Sequence, residues 1–262
     1  MNNYKKILLP LAVEAGEEIM KYFCKECNVS VKKDNSPVTD ADFAANSVII
    51  SRLKDTGIPI ISEENRVSSY EIRKKWKKFW LIDPLDGTKQ FVNNDKQFTV
   101  NIALIKNNMV EEGVVYLPAM KILYYGNIYD GAVKIDFNIS GKESNLPTQN
   151  NTVLHVIASR SHLNTQTKKY LENLRNKVGD IQICNVGSSL KFCSVADGVA
   201  DIYPRIGCIS EWDIAAGHAI VKSAGGNVID MNSHEEVKYN SRSLETPDFI
   251  AFKSRDKLEK IL

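Results

Sequence analysis

The chain has no excess of charge of either sign: 34 Lys and Arg stand against 32 Asp and Glu in 262 residues, a formal charge of +2. That balance removes any global electrostatic reason to bind nucleic acid or a membrane surface, so charge-driven recognition has to be local. The basic segment 73–78 carries a single aromatic, Trp76, and reads as a solvated face. No hydrophobic run is long enough to span a bilayer. Lys5 and Lys6 followed by the apolar stretch 7–13 imitate a secretory signal, but Glu14, Glu17 and Glu18 follow without a small-residue cleavage site. An amphipathic first helix is expected instead, with Leu8, Leu11, Ala12, Ala15 and Ile19 on one stripe. Five cysteines, an odd number with no export signal, point to free thiols in a reducing, cytoplasmic setting. Cys24 and Cys27 form a lone C-x-x-C, and Cys184, Cys193 and Cys208 supply no second pair at zinc spacing. Internal repeats and low-complexity tracts are absent.

What is present centres on Phe79-Trp80-Leu81-Ile82, which breaks into Asp83-Pro84-Leu85-Asp86-Gly87-Thr88. Four apolar residues in a row suit a strand covered on both faces, and Pro84, without an N–H, is expected to stop it. Asp83 and Asp86 then stand three residues apart on a tight turn. Carboxylates that close repel by roughly 1 kcal/mol in water and about 4 kcal/mol at an effective dielectric of 20, so the arrangement wants a counter-charge. A divalent cation is the simplest one, although an ordinary turn with self-capping aspartates accounts for the same residues. The apolar stretch 58–62 likewise runs into acid, Glu63-Glu64. Thr39 is a good N-cap for a helix reaching about Leu53, and Asp42, three residues on, either closes a capping box or points at a site.

From residue 98 the pattern is a β-meander, with strands at 98–105, 110–117, 122–125 and 132–137. The polar stretch 140–151 reads as a linker dividing the chain into 1–150 and 151–262. Beyond it strands and helices alternate. Strands are expected at 154–158, 181–184, 200–203, 228–230 and 249–252, and helices at 164–178, 188–196 and 214–224. The fold class is therefore α/β, an α+β first half followed by an α/β second half. Gly187-Ser188-Ser189-Leu190-Lys191 opens a helix with small hydroxylated residues and a lysine, a local anion site whose glycine spacing is not that of a P-loop. Trp212-Asp213-Ile214-Ala215-Ala216-Gly217 places Asp213 at a helix start, as a cap or as a ligand.

Taken together, Pro37-Val38-Thr39-Asp40-Ala41-Asp42, Ser62-Glu63-Glu64, Asp83-Pro84-Leu85-Asp86-Gly87-Thr88 and Trp212-Asp213-Ile214-Ala215-Ala216-Gly217 closely resemble the signatures of the lithium-sensitive, magnesium-dependent phosphatases of the inositol monophosphatase superfamily. Four further motifs resemble its bacterial CysQ branch, the 3'(2'),5'-bisphosphate nucleotidases. They are Asp86-Gly87-Thr88-Lys89, Ser159-Arg160-Ser161-His162, Gly187-Ser188-Ser189-Leu190-Lys191-Phe192-Cys193 and Tyr203-Pro204-Arg205. The resemblance implies a layered αβαβα sandwich. It implies that Glu63, Asp83 and the Leu85 carbonyl hold one magnesium and that Asp83, Asp86 and Asp213 hold a second; a third ion, or manganese, is compatible with it. An all-oxygen set suits a hard cation. Thr88, oriented by Asp42, would help deprotonate the attacking water beside Glu63, with Glu64 outside direct contact with the ions. The N–H groups around Gly87 and Thr88 would hold the phosphate being cleaved, and Asp213 would also meet the substrate.

Charge separates the substrates: a bisphosphate brings a second dianion that must be neutralised. Ser188 and Lys191 lie one helical turn apart and Arg205 follows the next strand, a plausible clamp for a 5'-phosphate. In the resembling nucleotidases these positions bind that phosphate, and His162 would lie near the nucleotide. The implied reaction is hydrolysis of the 3'-phosphate of adenosine 3',5'-bisphosphate, with 3'-phosphoadenylyl sulfate as a second candidate. Inositol phosphates or fructose bisphosphate are alternatives within the superfamily, and a catalytically inert metal- or nucleotide-binding module is one of another class. The partner expected is a small nucleotide, with no nucleic acid polymer, integral membrane segment or obligate protein partner. Two departures stand out: Gln90 replaces a Glu common in relatives, and 132–151 fit poorly.

Overall fold

The apolar stripe near the N-terminus does form a helix, α1 (Lys5–Met20), burying Leu8, Leu11, Ala12, Ala15 and Ile19. The computed structural model describes residues 4–25, 29–31, 37–159, 164–259 and 261. A short antiparallel ribbon, β1 (Val29–Val31) and β2 (Pro37–Thr39), leads into α2 (Asp40–Leu53), which ends through a 3-10 turn at Gly57 in the left-handed region. Then come β3 (Ile60–Ser62), α3 (Tyr70–Arg73), β4 (Lys78–Asp86) and α4 (Thr88–Val92). The meander follows as β5 (Thr99–Lys106), β6 (Met109–Leu117), β7 (Ile122–Asn127), β8 (Gly131–Asp136) and β9 (Lys142–Asn145). The remainder is β10 (Leu154–Ser159), α5 (Thr165–Val178), β11 (Ile181–Val186), α6 (Leu190–Asp197), β12 (Ile202–Arg205) and α7 (Glu211–Ser223). It closes with β13 (Asn227–Asp230), β14 (Phe249–Phe252) and α8 (Arg255–Glu259).

Strands β3 to β9 form one seven-stranded sheet in sequence order, parallel only between β3 and β4. A second, mixed sheet has the order β11-β10-β12-β14-β13. The alternation of β4 shows how the layers are built. Trp80 and Ile82 pack with α1 and α2 on one face, whereas Phe79 and Leu81 pack with α6 and α7 on the other. A strand apolar on both faces is what a doubly covered sheet requires. The α6/α7 layer touches both sheets, since Ile214, Ala216 and Ile220 share a core with Ala103 of β5 and with Tyr203 and Phe249 of the second sheet. Helix α5 covers the far face of the second sheet through Leu171 and Leu174. The result is the αβαβα sandwich that the resemblance implied. Helix α7 comes close enough to the first sheet that a Cβ on Gly113 would lie 2.8 Å from the Ala216 carbonyl. Among the described residues no helix is long and apolar enough to cross a membrane.

Five details differ from the sequence expectations. Helix α6 starts at Leu190 rather than at 188, so Ser188, with φ 51°, stands before the helix and not one helical turn from Lys191. Strand β4 does not stop at Pro84 but runs to Asp86 through a register shift against β5 between Asp83 and Asp86. Its pairing with β3 ends at Ile82, so Pro84 falls where no neighbour on that side needs its N–H. The polar linker contains β9, whose four residues pair with β8 at the sheet edge and bury almost nothing. Arg205 lies inside β12 rather than after it. Helix α7 starts at Glu211, so Asp213 is its third residue and Ser210 is the cap. Cys24, Cys184, Cys193 and Cys208 are free thiols, and Cys27 lies outside the described residues.

Candidate active site

The bulged end of β4 delivers Asp83 into the interior and Asp86 to its edge, where Gly87 turns the chain with φ 92° before α4. A side chain at Gly87 would be strained by that φ and would bring a Cβ to 3.1 Å from the Gln97 carbonyl. Strand β3, parallel to β4, ends one residue before Glu63, whose N–H donates to the Ile82 carbonyl at 3.2 Å. Asp213 arrives from the other half of the chain at the head of α7. The outcome is an acidic cluster: carboxylate oxygens of Glu63, Asp83 and Asp213 all lie within 4.8 Å of one another.

Asp42 and Asp213 both lie at helix heads, and both close capping boxes. In α2, Asp42 Oδ2 accepts hydrogen bonds from the Thr39 N–H at 2.8 Å and the Thr39 hydroxyl at 2.6 Å, while Oδ1 accepts from Thr88 Oγ1 at 3.2 Å. The Thr88 hydroxyl lies equally close, at 3.2 Å, to the Leu85 carbonyl. In α7, Asp213 Oδ2 accepts from the Ser210 N–H at 3.2 Å. The cap and the functional reading of these aspartates are therefore compatible, because a carboxylate has two oxygens.

Two cations come from α6 and β12. Lys191 and Arg205 from these elements line, together with Glu63, Asp86, Thr88 and Asp213, a cleft of about 270 Å³. Lys191 Nζ donates to the Ser188 carbonyl at 2.8 Å and lies 5.7 Å from the centre of the Tyr203 ring. Burial pushes its ammonium pKa down; Asp86 and Asp213 pull against that shift and Arg205 adds to it. Arg205 Nε donates to the Gly207 carbonyl at 3.3 Å. Ser188 lines the cleft, but its hydroxyl donates to Asp86 Oδ2 at 2.9 Å and sits 2.7 Å from Thr99 Oγ1. Gln90 and Lys89 also line the cleft, whereas Glu64 is half-buried beside Glu63 and does not. His162 lies outside the described residues.

Sequence reasoning missed the polar residues behind Asp86. Thr99 and Asn101 are alternate residues of β5, fully buried, and pair in register with Asp86 and Asp83. Ser189, also buried, joins them. The signal was legible: two polar residues at period two inside an apolar strand place a buried polar face beside the carboxylates.

The electrostatics fit a hard divalent cation. Burial, followed by the charges of Glu63, Asp86 and Asp213, raises the Asp83 carboxyl well above the usual carboxylate range. Burial and the charges of Asp86 and Glu63 do the same to Asp213. Carboxyls held at such spacing are at ease only with a proton or a cation between them, and an all-oxygen donor set without His or Cys suits magnesium or calcium chemistry rather than zinc.

Residues 1–261 match the inositol monophosphatase family. The chain belongs to that family. Among its relatives, the 3'(2'),5'-bisphosphate nucleotidase CysQ of Buchnera aphidicola is 45% identical over 234 residues, 87% of this chain and 85% of the relative. The corresponding enzyme of Salmonella typhimurium is 42% identical over 227 residues, 84% of this chain and 87% of the relative. The crystal structure of CysQ from Bacteroides thetaiotaomicron, a bacterial member of the family, superposes with a TM-score of 0.84 at 37% identity, covering 93% of this chain and 94% of that one. An inositol monophosphatase family member is a metal-dependent phosphatase, and the acidic cluster is compatible with that chemistry.

Proposed function

We propose that the chain hydrolyses the 3'-phosphate of adenosine 3',5'-bisphosphate to AMP and phosphate with magnesium. The observation that carries this reading is that two cations, Lys191 and Arg205, line the same cleft as the carboxylates of Glu63, Asp86 and Asp213. A polyol monophosphate presents one phosphate and leaves those cations facing hydroxyls. A nucleoside bisphosphate presents one phosphate to the acidic cluster and a second to the cations, where an arginine fork gives charge-assisted bonds. The names of the relatives, 3'(2'),5'-bisphosphate nucleotidases, support a bisphosphorylated nucleotide as the substrate class.

Asp42 and Thr88 act on the attacking water. Thr88 Oγ1 donates its one proton to Asp42 Oδ1, which leaves the hydroxyl lone pairs to accept from water and orient it. Asp42 Oδ2 is held by both donors of Thr39, so Oδ1 stays aimed at Thr88 and can take the Thr88 proton as Thr88 Oγ1 takes the one that water loses. The N–H groups at Gly87 and Thr88 orient the phosphoryl oxygens. Magnesium would be held by Glu63, Asp83 and the Leu85 carbonyl, and by Asp83, Asp86 and Asp213. When bound, it supplies Lewis-acid polarisation of phosphate, a lowered pKa of water and neutralisation of the leaving oxygen.

The test is steady-state phosphate release from adenosine 3',5'-bisphosphate and from inositol 1-phosphate, at fixed magnesium, with the wild-type protein and Arg205→Ala. The expected result is preference for the nucleotide, with kcat/KM for it alone reduced by about 2–4 kcal/mol in the variant. Preference for inositol phosphate, or indifference to Arg205, would keep the metal chemistry and overturn the nucleotide assignment.

A further inference from the structure

The adjacent serines that precede α6 have different surroundings. Ser188 lines the cleft, but Ser189 is 1% exposed and does not, so it is in no position to touch a substrate. Its Oγ stands at the junction of the two halves of the molecule. It accepts a hydrogen bond from Asn101 Nδ2 of β5 at 2.9 Å, and its one proton is shared in a three-centre bond between Asp86 Oδ2 and the Asp213 carbonyl, each at 2.8 Å. One hydroxyl thus ties the end of β4 to the head of α7, the two elements that carry Asp86 and Asp213. The second Asn101 side-chain polar atom, Oδ1, is buried with no partner among the described residues, where Ser189 supplies this amide's side-chain hydrogen bond.

We propose that Ser189 is a positioning residue for the cation site: by holding Asp86 Oδ2 and the Asp213 backbone on one oxygen, it sets the spacing at which the carboxylates of the two halves can share a divalent cation. Residues that orient ligating carboxylates commonly govern metal affinity by 10–100-fold, which is the scale expected here. The inference rests on the reading that Glu63, Asp83, Asp86 and Asp213 hold the cation.

The experiment is calorimetric titration of the full chain with Mn²⁺ alone, without substrate, beside its melting temperature in excess chelator. Ser189→Ala should weaken Mn²⁺ binding by about tenfold or more, and Ser189→Thr, which keeps the hydroxyl, should restore most of it. Activity of Ser189→Ala should recover at high metal concentration, a split that general loosening of the fold would not produce. Because Ser189→Ala strands the Asn101 amide, Ser189→Ala with Asn101→Leu removes both groups and guards against simple misfolding. Wild-type Mn²⁺ affinity in either folded variant would overturn the positioning role. Failure of the wild-type protein to bind Mn²⁺ would overturn the cation site itself, and this role with it.

Discussion

Thr39 and Asp42 at the head of α2, and Ser210 and Asp213 at the head of α7, close the same four-residue capping box, yet the two aspartates stand in opposite electrostatic situations. Asp42 is saturated by neutral donors: both groups of Thr39 reach one oxygen and Thr88 reaches the other. Asp213 has one longer bond from Ser210 and stands among carboxylates, with its own carboxyl pushed well upward. Identical local chemistry therefore fixes where a carboxylate points, and under the proposed mechanism the tertiary neighbours decide whether it serves as a proton acceptor or a cation ligand. Helix starts are good places for both because the macrodipole favours negative charge there.

The comparison breaks most readily at Asp42. Asp42→Asn keeps the shape but removes the proton acceptor, and kcat should fall by about 10²–10⁴-fold with magnesium affinity little changed. Phosphate release and calorimetry on the same sample check this, and an active variant would move the proton-accepting role elsewhere. Asp213→Asn should behave in reverse in chelator, raising metal-free stability by roughly 1–3 kcal/mol through relief of repulsion, while metal binding is lost. Asp42→Asn, which gives up charge-assisted bonds, should lower metal-free stability by about 1 kcal/mol. Urea unfolding of both in chelator decides it; shifts of the same sign would end the distinction between the two boxes.

The smallest effect sharpens the same contrast along α7. At its far end Glu236 accepts from Lys222 Nζ at 2.6 Å and lies 3.5 Å from His218 Nε2. Burial works against ionisation there, but those bonds prevail and hold the carboxyl at about 2. A lowered value contributes stability that is complete above the ordinary Glu value, about 4.3, and that is lost as pH falls toward 2. Asp83 and Asp213 have raised values, so without metal the folded chain binds more protons than the unfolded one above about pH 4, and stability declines as pH rises through that window. Metal-free stability should therefore peak near the ordinary carboxylate range, and magnesium should flatten only the high-pH side of the peak. Denaturant midpoints measured across pH, with and without magnesium, test both slopes.

Much of this was legible in the chain because the relevant signals are local. The β4 run ending in Asp83 and Asp86, the Thr39–Asp42 box and the polar stretch before α6 each announce themselves within a few residues. What escaped depends on partners far away in sequence. Strand β9 is Lys-Glu-Ser-Asn, held by backbone pairing at a sheet edge with no burial to produce alternation. Pro84 stays in its strand because β3 is only three residues long, a fact set by a different segment. Ser189 matters through Asn101, Asp86 and Asp213, residues that only folding assembles.

The position of α7 between the two sheets carries a consequence for how the chain is made. One face of the first sheet, including Ala103, Val115 and Tyr124, is covered by Ile214, Ala216 and Ile220, which are synthesised on the order of 100 residues later. At about 5–20 residues per second, that face waits roughly 5–20 s for its cover. During the interval the nascent sheet presents an apolar surface to the cell, and chaperone demand should fall on this window of synthesis rather than on the finished protein.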